Sequence, residues 1–335
     1  MLDRAATQMR AWRCHGVGEH HALRIETLSA PTPGDGELHV DVRAFAPGFP
    51  DLLMVQGLYQ LKPALPFTPC AEFSGTVRAL GSGVEGYRVG DRVMGVVRFG
   101  AAAEQLVVRA NDCLPLPPGF EDAHGAAFLI AAKTAYVGLV VRGGLKAGET
   151  LLVHGASGGV GLAAVELGKA LGATVIAAVS GPDKLAVVKE KGADHLIDYC
   201  DGSFRAQVKA CTQGRGADVI YDPVGGDVFD ESLHCIATFG RLLVIGFASG
   251  RIPQVPVNLA LIKQIAIVGV RAGEYGRQFP AGGAAVNAAL SDLAQRSALT
   301  AHVHARYAFE QLIAAFDEIA ERTVIGRVVI ELPQH

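Results

Sequence analysis

Thr150-Leu-Leu-Val-His-Gly-Ala-Ser-Gly-Gly-Val-Gly161 decides the fold. Four residues of buried-strand type run into a turn of small residues. An apolar, small-residue helix, Gly158 to Leu171, opens directly behind it. Glycine here lets a backbone approach a pyrophosphate with no Cβ in the way, and a helix N-terminus offers free N–H groups and a partial positive charge. Gly158 is placed for that approach and Gly161 for close helix–strand packing, while Ala156 stands where a first glycine is usual. The turn Ala156, Ser157, Gly158, Gly159, Val160, Gly161 is therefore read as a dinucleotide cradle.

The same pattern continues outward. Thr174–Val179, His195–Tyr199, Asp218–Asp222, Leu242–Gly246 and Ile265–Val270 read as further strands, and the first four intervals carry helical stretches. Six apolar strands alternating with helices predict a doubly wound parallel sheet, covered on both faces, over 131–271. Upstream the period changes. Leu38, Val40 and Val42 alternate with polar neighbours, and Phe73–Arg78 and Arg92–Val97 repeat the style, predicting short half-buried strands. Phe309 to Arg322 reads as an amphipathic helix and Gly326 to Glu331 as a last strand. The expected division is a β-rich domain, 1–130 with 272–335, and a dinucleotide-binding domain, 131–271.

The end of the second strand selects the dinucleotide. An NAD-binding chain usually places Asp or Glu there for the ribose 2′-hydroxyl. This chain has Ser180, followed by Gly181, Pro182, Asp183 and Lys184. Ser180 can donate to a 2′-phosphate and Lys184 can supply charge. Asp183 is read as the N-cap of the next helix. The expected cofactor is NADPH.

The bulk composition agrees with an ordinary globular chain. It has 335 residues, 50% of them hydrophobic and 19% charged, with a net charge of −3. Single cores stop growing near about 250–300 residues, so two domains are expected. No Lys/Arg-rich run marks a nucleic-acid partner, and no apolar run is long enough for membrane insertion. The six cysteines are scattered without a CxxC pair, which points to reduced thiols. Met1 to Met9 lacks the apolar core of a secretory signal, so the expected setting is cytoplasmic. His20, His21, His302 and His304 show no ligand spacing, and His154 reads as a core histidine satisfied by backbone.

Five segments, in order, carry a resemblance: Phe49-Pro-Asp-Leu-Leu-Met-Val-Gln-Gly-Leu-Tyr-Gln60, Val89-Gly-Asp-Arg-Val93, His154 to Gly161, Tyr221-Asp-Pro-Val-Gly-Gly226 and Gly326-Arg-Val-Val-Ile330. Together they resemble the zinc-independent medium-chain dehydrogenases/reductases, the zeta-crystallin-like quinone oxidoreductases. The resemblance implies a GroES-like catalytic domain beside the Rossmann domain. It implies 2′-phosphate ligands at Ser180, Lys184, Tyr199 and Arg322, with Tyr199 also able to cover adenine. It places the nicotinamide near Ile130, Thr134 and the Phe247 loop, and it puts Asp51 and Tyr59 in the active-site cleft.

Zinc-containing relatives bind their metal through Cys, Gly-His-Glu and a distal Cys. Here those positions read Gly48 and Cys70-Ala71-Glu72, so no metal is expected. Cys70 is read as a buried small hydrophobe. Without a Lewis acid the acceptor must already be electrophilic: a quinone, or as the alternative an enone or enal. Tyr59 is the candidate to hydrogen-bond the acceptor oxygen, with Asp51 either orienting it or capping a helix near Leu52. Relatives usually carry Asn at Gly48 and often Trp at Ala272, and both losses predict a roomier site. A nucleotide-binding protein with little turnover is the reading from another class. The apolar strand Ile265 to Val270 is expected at the sheet edge, where two copies pair as a homodimer.

Overall fold

The computed structural model describes residues 8–201 and 203–333. The described residues form two compact units, one running to 129 and resuming at 301, the other over 130–300.

In the first unit the strand Glu37–Ala46 is the hub. It pairs antiparallel with Glu72–Leu80, Gln105–Arg109 and Arg327–Glu331. The alternation in its sequence sets its faces: Leu38, Val40 and Val42 are buried, while Asp41 and Arg43 are partly exposed. The sheet runs Val303–Ala308, Arg327–Glu331, Glu37–Ala46, Glu72–Leu80, Arg92–Val96, Cys113–Pro115. Its core gathers Phe45, Phe73, Phe309 and Phe316 around the aliphatic strand residues. Trp12 joins them and donates from Nε1 to the Phe309 carbonyl at 2.8 Å.

The second unit holds six parallel strands in the order His195–Asp198, Thr174–Val179, Thr150–Val153, Ala217–Asp222, Ile236–Val244, Ala266–Gly269. That is the 3-2-1-4-5-6 order of a Rossmann sheet. Leu151, Leu152, Val153, Val175, Ile176 and Ile220 are wholly buried, because crossover helices cover both faces. The molecule is thus an α/β protein, a GroES-like β-rich unit and a six-stranded Rossmann unit.

Three sequence expectations change. The second domain boundary falls at Thr300, not at 272. Helices Ala272–Gln278 and Pro280–Gln295 pack on each other, and Gly276 and Gly283 approach so closely that a Cβ on Gly283 would lie 2.6 Å from the Gly276 Cα. Thr300 is then tied to Glu166, whose carboxylate takes its N–H at 3.1 Å and its hydroxyl at 2.7 Å. The fifth crossover also carries a helix, Val257–Lys263, which the sequence pattern hid. Its Val257, Leu261 and Ile262 are exposed, so they form no inward stripe. Finally, the N-cap before Pro182–Glu190 is Gly181 at φ +94°, and Asp183 sits in the first turn instead.

Candidate functional site

The strand Thr150–Val153 delivers the chain into the turn, and the helix Gly159–Ala170 starts behind the N-cap Gly158. No side chain caps this helix. Its first-turn amides lack partners within the helix and point out of its N-terminus. Gly158 is partly exposed, and a Cβ there would meet only the Gly155 carbonyl, at 3.5 Å. Gly161 is a different case: a Cβ would lie 2.3 Å from the Gly155 oxygen and 2.7 Å from the Ala156 Cα. The turn and helix can be this close only with glycine at 161. Ala156, in the first-glycine place, is wholly buried and donates its N–H to Ala178. Ser157 is buried, and Gly159 and Val160 are partly exposed. An open helix end with a bare glycine in front fits a pyrophosphate.

His154 anchors the turn from below. Ser232 donates its hydroxyl to the Val228 carbonyl at 2.7 Å, so it accepts from His154 Nε2–H at 2.8 Å. That leaves His154 Nδ1 to accept from the Tyr199 hydroxyl at 2.8 Å, and Tyr199 in turn accepts the Gly155 N–H at 3.4 Å. The two rings stack at 6.0 Å, with Phe204 edge-on to both. Full burial pushes the His154 imidazole down to about 3, and burial pushes the Tyr199 phenol well up. His154 is a core histidine, but two hydroxyls satisfy it and not backbone. The finding also alters Tyr199: its hydroxyl is committed to His154 and Gly155, not aimed at a phosphate.

Ser180 is exposed at the end of the strand Thr174–Val179, and Lys184 Nζ donates to its Oγ at 3.4 Å. A carboxylate does stand nearby, which the sequence argument did not weigh. Asp198 closes the adjacent strand and accepts the Gly181 N–H at 3.0 Å and the Cys200 N–H at 2.9 Å. Those amides hold its charge within the fold, so Ser180 and Lys184 stay the outward-facing pair. Elsewhere in this unit Ile130 and Thr134 share the helix Leu129–Tyr136, and the Thr134 hydroxyl donates to the Ile130 carbonyl at 2.7 Å. Phe247 is 38% exposed and packs over Gly225, where a Cβ would meet its Cδ1 at 3.0 Å.

In the first unit Arg322 ends the helix Leu312–Glu321 in a left-handed conformation, φ +61°, with its side chain exposed. Asp51 lies in the first turn of the helix Phe49–Val55, which starts three residues earlier than the sequence reading. Its Oδ2 accepts the Gly48 N–H at 2.8 Å. Burial pushes its carboxyl up to about 6, against the pull of Arg327. Asp51 is therefore a capping residue here. Tyr59 follows this helix, half-buried against the aliphatic core, its N–H donated to the Leu53 carbonyl.

Sequence reasoning missed Arg327. Its Nη2 donates to Glu72 Oε2 and to the Ala46 carbonyl, each at 3.1 Å. Its side chain is 10% exposed, and Glu72 is wholly buried. A Cβ on Gly48 would lie 3.2 Å from Arg327 Nη1 and 3.4 Å from Asp51 Oδ2. The space at Gly48 is thus bordered by the Arg327 guanidinium and the Asp51 carboxylate. The sole advance signal was a cation opening the apolar run Gly326 to Ile330. The same cluster does not fit a catalytic zinc. Gly48 offers no donor atom, burial pushes the Cys70 thiol well up, and Glu72 is bound to a cation already. Cys70 is wholly buried.

A GroES-like unit and a Rossmann unit with this turn define a medium-chain dehydrogenase/reductase. Residues 34–118 match the family described as alcohol dehydrogenase GroES-like domain, and 159–288 the one described as zinc-binding dehydrogenase. A quinone oxidoreductase-like protein 2 homolog of Nematostella vectensis is 37% identical over 328 residues, 97% of this chain and 89% of that protein. A quinone oxidoreductase of Pseudomonas aeruginosa is 34% identical over 317 residues, covering 93% and 96%. A mycobacterial protein solved in complex with NADPH superposes with a TM-score of 0.89 at 31% identity, covering 96% of this chain and all (100%) of that one. The chain belongs to the zeta-crystallin-like quinone-oxidoreductase family of zinc-independent medium-chain dehydrogenases/reductases. Among the described residues no helix is long and apolar enough to cross a membrane.

Proposed function

We propose that the protein reduces a quinone with NADPH. The observation that carries this reading is the pair Ser180 and Lys184 at the end of the second Rossmann strand, outside a helix N-terminus built for a pyrophosphate. The mycobacterial relative with bound NADPH and the relatives named quinone oxidoreductases support it.

Bound NADPH supplies the hydride. The open amides at the start of the helix Gly159–Ala170, behind the turn Ala156 to Gly158, would hold the pyrophosphate, Ser180 and Lys184 would hold the 2′-phosphate, and Tyr199 would cover the adenine. Arg322 is assigned to the 2′-phosphate from the family resemblance alone. Ile130, Thr134 and Phe247 support the nicotinamide. The acceptor gains a hydride and its oxygen takes a proton, and Tyr59 is the proposed donor of a hydrogen bond to that oxygen. The donor set at Gly48, Cys70 and Glu72 supplies no metal to polarise the acceptor, so electrophilicity is built into the substrate. We place the enzyme in the cytoplasm as a homodimer joined at the edge strand Ala266–Gly269.

An acceptor panel with NADPH oxidation as readout tests this. Benzoquinones and polycyclic quinones are expected to turn over, and Tyr59→Phe is expected to lower turnover while leaving the NADPH dissociation constant unchanged. Reduction of enones or enals to saturated carbonyls, with quinones inert, would replace the quinone by a conjugated carbonyl. No oxidation with any acceptor, with NADPH still bound, would leave a binding protein without useful turnover.

A further inference from the structure

The fold brings a carboxylate from the far end of the chain onto the doublet His20-His21. His20–Ala22 forms a single 3-10 turn beside the helix Leu312–Glu321. Oδ1 of Asp317 on that helix lies 2.7 Å from His20 Nε2 and 2.9 Å from His21 Nε2. All three ligand atoms fall within 4.8 Å of one another. His20 is fixed in place: its side chain is 10% exposed, its ring is 4.2 Å from the His21 ring and 5.9 Å from Phe316. His21 is 57% exposed, so the cluster opens to water on that side.

We propose that His20, His21 and Asp317 bind a divalent transition-metal ion of the Zn²⁺ type. Two imidazoles turn the same nitrogen toward one carboxylate oxygen, so a single cation between them replaces two N–H protons and meets three donors at once. Tetrahedral bonds of about 2.0–2.2 Å set ligand atoms roughly 3.4 Å apart, so the two Asp317 contacts, now 2.7 and 2.9 Å, need open by roughly 0.5–0.7 Å. Imidazole with one carboxylate selects Zn²⁺, Co²⁺, Ni²⁺ or Cu²⁺ over Mg²⁺ and Ca²⁺, which want oxygen ligands. Water completes the shell on the His21 side. The ion clips the first segment of this unit to its last helix, so its effect is on stability: binding to the folded chain alone raises stability by mass action.

The test uses the full chain stripped with EDTA. Zn²⁺, Ni²⁺ and Mg²⁺ are titrated by calorimetry, and thermal unfolding is followed with and without about 100 μM metal. One Zn²⁺ or Ni²⁺ per chain is expected to bind and raise Tm, with Mg²⁺ silent. His21→Ala removes a largely exposed ligand, so the variant keeps the metal-free Tm of the parent. It should weaken binding by at least about tenfold and erase the metal-dependent rise in Tm. Asp317→Asn should do the same. Absence of binding in the parent overturns the proposal. So does binding that persists unchanged in both variants, as the exposed thiols of Cys200 and Cys211 would give.

Discussion

His154 is neutral in the folded protein because burial holds its imidazole down at about 3, whereas in an unfolded chain it titrates near about 6.5. Between those values only the unfolded chain takes up the proton. Stability should therefore be complete above about 6.5 and fall as the pH drops toward 3, by at most about 1.4 kcal/mol per unit. Denaturant unfolding at pH 7 and pH 4.5 checks this, and His154→Gln should flatten the dependence. Asp51 has the opposite sign: with its carboxyl raised to about 6, its contribution is present below about 4 and is lost as pH rises through 6. A His154→Gln variant that loses stability on acidification as steeply as the parent would contradict the assignment. That His154 lies in the core was legible from its place at the end of an apolar strand. Its partners were not, because Tyr199 and Ser232 stand 45 and 78 residues away and only the folded sheet brings them together. Arg327 and Glu72, 255 residues apart, escaped for the same reason.

The turn and helix at Thr150 to Ala170 were the most legible element, since period, glycines and helix start agree. Gly161 makes that agreement testable. The atoms its Cβ would strike, Gly155 O and Ala156 Cα, are backbone and cannot swing aside as a side chain does. Gly161→Ala should destabilise the protein by about 1–3 kcal/mol and weaken NADPH binding, measured by denaturation and fluorescence titration. A stable variant with unchanged affinity would show that the turn has slack the geometry denies. The helix Val257–Lys263 was illegible, because it turns only Leu259 and Ala260 partly into the core and leaves Val257, Leu261 and Ile262 exposed, which blurs the helical period. The capping residues moved for a local reason: Gly181 adopts φ +94°, which Asp183 would resist.

At the scale of the whole molecule, the change of period from alternating strands to β-α repeats located the first division of the chain. The second was not legible, because the helices Ala272–Gln278 and Pro280–Gln295 resemble neither neighbour in pattern and are assigned only by packing and by the Thr300–Glu166 hydrogen bonds. Among the described residues the strand Ala266–Gly269 ends the Rossmann sheet, paired on one side to Ile236–Val244. Sedimentation at micromolar concentration should therefore give twice the 35.0 kDa chain mass, and a 35.0 kDa species would remove the proposed pairing. The central claim is that this Rossmann unit holds NADPH through Ser180 and Lys184. Calorimetry with NADPH and NADH, on the parent and on Lys184→Glu, measures it most directly. The account predicts one NADPH per chain, bound at least about tenfold tighter than NADH, with that preference lost in the variant. Equal affinity for the two nucleotides, or no heat with either, would contradict it.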